Sequence, residues 1–433
     1  MRNPLPPGAL AVAGGVAVLG VSSYVFLGIA ARALPPASFA TLSVLWVLFN
    51  VVGPGLLSPV ELEVGRAVAE RRARRLGTGA LISRAAVVTV FLLGILLLAT
   101  AVTGRVLLET LFDDSTFLLG ALVFSYLGVC CAYLSRGALA GTKRFRRYSA
   151  QLAVDGAGRM VGCAVLALLA VQSPGAYGLV LGAAMLLGVL VTLPPRGDHL
   201  VAGPPAPWSE LSGALAWLVT TSLLSQVLVN FGPVLVKLLS TRAEAEAAGP
   251  LLAALVLARI PLFAFVAVQS VLLPRMATLL GEGKRGEFVA GLRRLALVVA
   301  LLGLAGTLTM LVAGPQLLAL AFGPRFTMSA YLLTLLAAAT GFYMLAMCFN
   351  HALIALRAYR AVTLGWAVGV VAMVVSTVVL PGVISQVVYG YLIGSGLAAA
   401  SLALLFRRAL VSASPERDPL HAADTSSPRQ SRG

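Results

Sequence analysis

Long apolar runs, repeated along almost the whole chain, constrain its fold more than any other feature. A helix of about 20 apolar residues, rising ~1.5 Å per residue, crosses the ~30 Å hydrocarbon core of a bilayer. Clusters of Pro, Gly and charged residues separate the runs. We predict twelve membrane-spanning helices, over approximately residues 8–31, 37–60, 81–103, 115–137, 149–172, 177–193, 211–238, 250–273, 293–313, 329–350, 361–380 and 387–406. The fold class predicted is an all-α polytopic membrane protein.

Composition excludes several other classes. The chain is 59% hydrophobic and 11% charged, which does not suit a soluble domain. A membrane β-barrel would show alternating segments of about ten residues. The net charge of +16 lies mainly in short loops and in the C-terminal segment, so we expect no nucleic-acid partner. All four cysteines fall in predicted spans, which favours neither a disulfide framework nor a metal site, and no cofactor is expected.

The distribution of basic residues predicts the orientation. Most of the 32 Lys and Arg residues fall in alternate loops, which the positive-inside rule assigns to the cytoplasm. We therefore expect both termini to be cytoplasmic, in a bacterial cytoplasmic membrane. The basic loops, including an amphipathic stretch that begins at Glu61, are expected to contact anionic lipids. The opposite side holds only Arg32, Arg105, Lys237, Arg242 and Arg325.

The two halves of the chain repeat each other. Residues 138–146 read ALAGTKRFR and residues 352–360 read ALIALRAYR, each at the end of a predicted span. Residues 106–112 (VLLETLF) likewise match residues 316–322 (QLLALAF). A parallel repeat of this kind is typical of transporters with two lobes around a central site. We predict an N-terminal six-helix lobe over 1–193, a cytoplasmic linker over 194–210, a C-terminal six-helix lobe over 211–406 and a disordered cytoplasmic tail over 407–433.

The fifth predicted span carries polar residues that are costly in a membrane. Gln151, Asp155 and Arg159 are spaced four apart and so lie on nearly one helix face. An Asp or Arg at mid-membrane costs about 2.5–3.5 kcal/mol on insertion scales, and such residues often mark sites for polar cargo. The alternative is structural: Asp155 and Arg159 neutralise each other as an i,i+4 pair.

Arg259 is the second informative charge. It lies about 13 Å into the eighth predicted span, at a rise of ~1.5 Å per residue, with Pro261 close behind it. An arginine fork suits a phosphate bidentately, so Arg159 and Arg259 are candidates to line one cavity between the lobes. Gln226 and Asn230 in the seventh span are further candidate substrate-binding residues. Asn50 and Gln269 are further polar candidates. For all four of these amide side chains, interhelical hydrogen bonding is the favoured alternative. For Arg259 the alternative is a structural bond to helix-end carbonyls or a side chain that extends to the surface.

No catalytic residue is expected. His199, His351 and His421 have no carboxylate, Cys or Ser partner at a suggestive spacing, so no triad or metal site can be drawn. We predict that the protein is not an enzyme.

The chain resembles the polysaccharide exporters of the multidrug/oligosaccharidyl-lipid/polysaccharide (MOP) flippase superfamily. The resemblance is carried by residues 30–75, by 257–288 (LARIPLFAFVAVQSVLLPRMATLLGEGKRGEF), by 318–326 (LALAFGPRF) and by ALIALRAYR. It implies a MATE/MurJ-like fold and the movement of a lipid-linked oligosaccharide across the membrane by alternating access, for cell-surface polysaccharide biosynthesis. It also implies that cationic cavity residues, here Arg159 and Arg259, meet the pyrophosphate, and that polysaccharide polymerase or assembly proteins are partners.

Two other functions stay open. The first is a MATE-like antiporter that couples a cation gradient to drug export, although the only midspan acid, Asp155, lies beside Arg159. The second is a membrane scaffold of a polysaccharide assembly complex that transports nothing.

Overall fold

The N-terminal half forms one bundle of helices. The computed structural model describes residues 9–193, 203–211, 215–239, 247–262, 265, 279–280, 282–380 and 382–412. The helices of this half are α1 (Ala9–Ala33), α2 (Pro36–Asn50), α3 (Ser58–Ala73), α4 (Gly79–Val102), the short α5 (Gly104–Val106), α6 (Thr116–Gly141), α7 (Phe145–Leu168) and α8 (Pro174–Thr192). Within it, α7 packs on α1 and α8, and α6 packs on α3 and α8.

The C-terminal half forms a second bundle. Its described helices are α9 (Leu215–Asn230), α10 (Gly232–Leu239), α11 (Ala248–Ala258), α12 (Arg285–Phe322), α13 (Ala330–Ala355), α14 (Tyr359–Val379) and α15 (Val383–Ser412). Here α14 packs on α15, and α13 packs on α12 and α15. The two bundles meet mainly where α11 lies against α2 and where α9 lies against α3 and against residues 51–57, which join α2 to α3.

The fold class predicted from the sequence is confirmed. Ten described helical stretches are long and apolar enough to cross a membrane, and α9 with α10, bent by 63° at Phe231, makes an eleventh. The eighth predicted span begins as α11, and most of its second half lies outside the described residues, together with Gln269. The protein is therefore a multi-pass helical membrane protein with a two-lobe layout.

The second span is longer than predicted. A π-helical segment, Val51–Leu57, joins α2 to α3, so the helical path runs unbroken from Pro36 to Ala73. Pro54 lies inside this segment and has no N–H to donate, so one backbone hydrogen bond of a regular helix is missing there. The wider π turn accommodates this missing hydrogen bond. The amphipathic stretch expected to begin at Glu61 is helical, but it does not follow a loop, since Glu61 and Glu63 belong to α3, which continues the second span.

The internal repeat extends to the backbone geometry. Helices α6 and α13 have 26 residues each, and each begins with a serine cap, Ser115 or Ser329, that accepts a hydrogen bond from the backbone N–H three residues on. Two residues beyond the end of each helix lies a basic residue in the left-handed conformation, Lys143 (φ 59°) or Arg357 (φ 58°). The lobe boundaries themselves remain predictions. Residues 194–202 of the predicted linker and 413–433 of the predicted tail lie outside the described residues.

The end of the linker is tied to the first lobe by one ion pair. Arg71 donates from Nε to Glu210 Oε2 (2.6 Å) and from Nη2 to Glu210 Oε1 (3.0 Å). Arg71 is buried and also donates to the carbonyls of Gly77, Pro204 and Pro205. The Arg71 guanidinium holds the pKa of Glu210 below its ordinary value of 4.5.

This ion pair predicts a release of the linker in acid. Because the folded-state pKa of Glu210 is lowered, the contact stabilises fully above pH 4.5 and is lost as the pH falls through the lowered value. Trp208, stacked at 4.9 Å from the Arg84 guanidinium, reports the change. We expect its emission, taken as the difference from a Trp208→Phe variant, to shift to longer wavelength in that range. Glu210→Gln should show the shifted emission already at pH 7. An identical acid transition in the Gln variant would assign the change to another group.

Candidate substrate-binding site

The polar face of α7 forms a buried ion-pair cluster. Arg159 donates from Nε to Asp155 Oδ1 (2.8 Å) and from Nη2 to Asp155 Oδ2 (3.0 Å). Arg136 of α6 donates from Nη2 to Asp155 Oδ2 (2.9 Å). All three side chains are buried, Asp155 completely. The sequence spacing correctly indicated the Asp155–Arg159 pair, and the bidentate edge of Arg159 is occupied by a carboxylate of the same helix.

Arg136 is the member of this cluster that the sequence analysis missed. The fourth predicted span, 115–137, includes it one residue before the predicted end, and its charge was counted with the cytoplasmic basic residues. In the structure α6 continues to Gly141 and buries Arg136 at 3% exposure. A helix can carry an arginine this far from its end when a carboxylate from a neighbouring helix meets it, here Asp155.

Gln151 links α7 to α6 by side-chain hydrogen bonds. Its Oε1 accepts from Ser135 Oγ (3.2 Å) and its Nε2 donates to the carbonyl of Ala132 (3.2 Å), both on α6. The side chain is fully buried. These contacts correspond to the interhelical role that polar residues take in membrane bundles. Asn50, a further polar candidate, donates to the carbonyl of Trp46 in its own helix (2.8 Å).

Three candidates from two helices of the second lobe meet in one chain of hydrogen bonds. Arg259, the residue that ends α11, donates from Nη1 to Asn230 Oδ1 (2.9 Å). Asn230 in turn donates from Nδ2 to Gln226 Oε1 (2.7 Å). The Asn230 side chain thus orients the Arg259 guanidinium, and Gln226 orients Asn230.

The other edge of Arg259 has no partner. Its Nε and Nη2 atoms are buried, and neither donates a hydrogen bond within the described part of the chain. Guanidinium groups have donors only, and buried donors are nearly always satisfied, so an unpaired edge calls for an explanation. Nε and Nη2 are the two atoms that bind the carboxylate in the Arg159–Asp155 pair. In Arg259 no described carboxylate binds this edge, and the Tyr391 hydroxyl lies close to the guanidinium.

Three tyrosine hydroxyls lie near the Arg259 guanidinium. Tyr24 of α1, Tyr343 of α13 and Tyr391 of α15 all lie within electrostatic range of the Arg259 charge. Tyr24 comes from the first lobe and the other two from the second. Arginine with tyrosine hydroxyls is a donor set for an oxyanion, with phosphate the best geometric match. The three tyrosines were not singled out from the sequence, because tyrosines occur throughout membrane helices and nothing in their spacing sets these apart.

The Arg259 chain reaches the first lobe through α9. Ser222 Oγ donates to the carbonyl of Pro54 (2.8 Å), and a Cβ on Gly55 would lie 3.4 Å from Gln226. Both first-lobe residues belong to the π-helical segment. Gln226 therefore packs against the π-helical segment that joins α2 to α3.

At one end of the bundle, each lobe contributes an arginine that donates hydrogen bonds to the other lobe. Arg32 at the end of α1 donates to the carbonyls of Leu320 (2.6 Å) and Ala321 (2.5 Å) at the end of α12. Arg325, just past α12, donates to the carbonyls of Ala31 and Leu34 (2.6 Å for Leu34) at the end of α1. Each arginine thus binds the negative end of a helix in the other lobe.

A salt bridge supports the same end. Lys237 Nζ lies 2.9 and 2.8 Å from the Asp113 carboxylate oxygens, again joining the second lobe to the first. Arg32, Arg325 and Lys237 are three of the few basic residues that the sequence assigns to the outer side. We call these arginine and lysine contacts the outer clamp.

Among the described residues, no three His, Cys, Asp or Glu side chains are grouped to hold a metal ion. The four cysteines form no disulfide and are buried or partly buried. The forked donors of Arg259 point to the binding of an anion.

Comparison with protein-family models gives no match. Two mycobacterial proteins are similar in sequence. The uncharacterized protein Rv1510 of Mycobacterium tuberculosis (strain H37Rv) is 29% identical over 391 residues, which cover 87% of this chain and 86% of that protein. The uncharacterized protein Mb3654 of Mycobacterium bovis is 29% identical over 364 residues, which cover 81% and 80%.

Solved structures identify the fold. An inward-facing multidrug resistance MATE family transporter of the MOP superfamily matches with a TM-score of 0.75 at 13% identity, over 93% of this chain and 98% of that one. An outward-facing MATE structure gives 0.66 at 15% identity, over 93% and 94%. A MOP superfamily transporter from Pyrococcus furiosus, whose binding pocket is described as reversed in polarity, gives 0.67 at 13% identity, over 93% and 95%. This chain has the fold of MOP superfamily transporters.

Proposed function

We propose that this protein is an alternating-access transporter that moves a phosphate-bearing, lipid-linked oligosaccharide across the cytoplasmic membrane for cell-surface polysaccharide biosynthesis. The observation that carries the proposal is the unpaired, buried Nε–Nη2 edge of Arg259. A phosphate or pyrophosphate would satisfy both donors at once. The saccharide and the polyprenyl carrier come from the resemblance to polysaccharide exporters, and partner proteins of polysaccharide assembly are proposed on the same basis.

The polarity of the site favours an anionic cargo. A cationic drug or a coupling cation needs a desolvated carboxylate, but Asp155 is already bound by two arginines. Arg259, by contrast, makes no ion pair with any described carboxylate. The reversed binding-pocket polarity named for the Pyrococcus furiosus transporter shows that the fold is compatible with different pocket charges.

A cation-coupled drug antiporter is the second candidate. The observation that favours it is the likeness of fold to MATE multidrug transporters, including the inward-facing one. Fold alone does not decide the cargo, since the same scaffold carries sites of different chemistry.

The test is a flipping assay in proteoliposomes. The probe is fluorescent undecaprenyl-pyrophosphoryl sugar, and its leaflet is read by the fraction that an external quencher reaches. We expect the wild-type protein to move the probe and Arg259→Ala to reduce the rate at least about tenfold, since a charge-assisted bond contributes roughly 1.5–3 kcal/mol. Arg259→Lys should be intermediate, because it keeps the charge and loses the fork.

The matched control is Arg294→Ala, which removes an exposed arginine of the same lobe and should leave the rate unchanged. Equal rates for the wild type and Arg259→Ala would remove Arg259 from the site. Failure of the wild type with several sugars, together with expulsion of a cationic dye, would establish the antiporter instead.

A further inference from the structure

A second basic site lies at the cytoplasmic face predicted from the sequence, away from Arg259. A cavity of about 330 Å³ opens between the α3–α4 turn and the α6–α7 turn. Three arginines line it, and the rest of its wall is apolar or neutral. The lining residues are Arg72, Arg75, Leu76, Gly77, Thr78, Thr142 and Arg144.

Two turns of the same form build the cavity. Arg75 (φ 56°) and Lys143 (φ 59°) both adopt the left-handed conformation that ends a helix. In each turn the next residue's N–H bonds back to a carbonyl five residues earlier, Leu76 to Arg71 and Arg144 to Leu139, both at 2.9 Å. Arg72 Nη1 donates to the carbonyl of Thr142 and joins the turns. The wall is therefore fixed by backbone hydrogen bonds as well as by long side chains.

The electrostatics of the cavity favour an anion. No carboxylate is among its lining residues, and the three arginines converge from two turns. Gly77 and Thr78 also bring the N terminus of the 24-residue helix α4 to its wall. The free N–H groups of a first helical turn add a partial positive charge. A phosphate fits this combination of forked donors and helix end.

The helix that leaves the cavity is suited to acyl chains. Beyond Arg84, α4 is apolar, and only 17% of its apolar window is buried, with Val87, Val90 and Phe91 each more than half exposed. A lipid with its phosphate in the cavity would lay its chains along this surface. A free phosphate would leave the surface unused.

We propose that this cavity binds the headgroup of an anionic phospholipid from the cytoplasmic leaflet, with the acyl chains along α4. The occupant is a resident lipid and not the transported cargo, so the proposal stands independently of the function at Arg259. An anionic lipid held at both turns would link α3–α4 to α6–α7 and stabilise the first lobe.

The experiment measures lipid retention and thermal stability of the purified full-length protein in detergent. Phosphatidylglycerol, phosphatidylcholine and inorganic phosphate are added at equal concentration, and bound lipid is counted by native mass spectrometry. We expect phosphatidylglycerol alone to bind and to raise the unfolding temperature. Arg75→Gln with Arg144→Gln should weaken its binding about thirtyfold, at ~1 kcal/mol for the attraction of each basic residue to anionic lipid.

The control is Arg407→Gln with Arg408→Gln, which removes the same charge from two exposed arginines near the end of α15. If this control weakens phosphatidylglycerol binding equally, the effect comes from general surface charge, and the proposed site is wrong. Equal protection by inorganic phosphate would overturn the lipid as the occupant. If the double variant does not fold, the single variant Arg75→Gln, at an exposed position, is measured instead. We then expect phosphatidylglycerol binding to weaken about fivefold, from the loss of one such charge.

Discussion

Replacing Asp155 by Asn is expected to destabilise the protein severely. The completely buried carboxylate holds Arg136 and Arg159 together. Its loss leaves Arg159 without its ion-pair partner and leaves Arg136 with only the longer-range attraction of Glu61. Breaking a buried ion pair by removing one partner costs about 3–5 kcal/mol. We expect the unfolding temperature in detergent to fall by roughly 5–10 °C, at about 2 °C per kcal/mol for a chain of this size.

The chain provides a matched control for this prediction. Arg105 and Glu109 form another i,i+4 pair, but their side chains are 87% and 61% exposed. Glu109→Gln should change the unfolding temperature little, because exposed pairs contribute about 0–1 kcal/mol. Asp155→Asn with Arg159→Met should recover part of the loss, since it also removes one of the unpaired cations. An Asp155→Asn protein as stable as the wild type would mean that the cluster contributes nothing.

Removing both arginines of the outer clamp is expected to open the predicted outer side. In Arg32→Ala with Arg325→Ala, the lobes lose the bonds that join the ends of α1 and α12. Loss of about 2 kcal/mol from these partly exposed contacts would shift a two-state equilibrium roughly thirtyfold toward the open form.

Spin labels measure the opening directly. Residues 114 and 327 are exposed, lie beside the clamp and belong to different lobes. With labels there, in a background without the native cysteines, double electron–electron resonance should show a longer distance in the double variant. Arg105→Ala, which removes an exposed outer arginine that pairs only within its own turn, should leave the distance unchanged. An unchanged distance in the double variant would show that the outer clamp does not hold the closed form.

The helices and the fold class followed from local sequence. A backbone in hydrocarbon must satisfy its own hydrogen bonds, so each long apolar run must be a helix, and the repeat of ALAGTKRFR in ALIALRAYR indicated two related lobes. The Asp155–Arg159 pair was also readable, because i,i+4 spacing sets the two side chains side by side on any helix.

The candidate site depended on tertiary structure. The sequence indicates how deep Arg259 lies in the membrane but not the direction in which its side chain points. It therefore does not reveal that Asn230 binds one edge of the guanidinium and that no described carboxylate binds the other. Arg136 lies at the end of the fourth predicted span, and its role was missed because its partner Asp155 lies on the next helix, 19 residues away. The outer clamp likewise joins residues almost 300 positions apart. Local sequence thus determined which segments are helices, whereas the pairing of charges was decided by how the helices rotate and pack, because an ion pair between helices exists only where two side chains meet at the same depth.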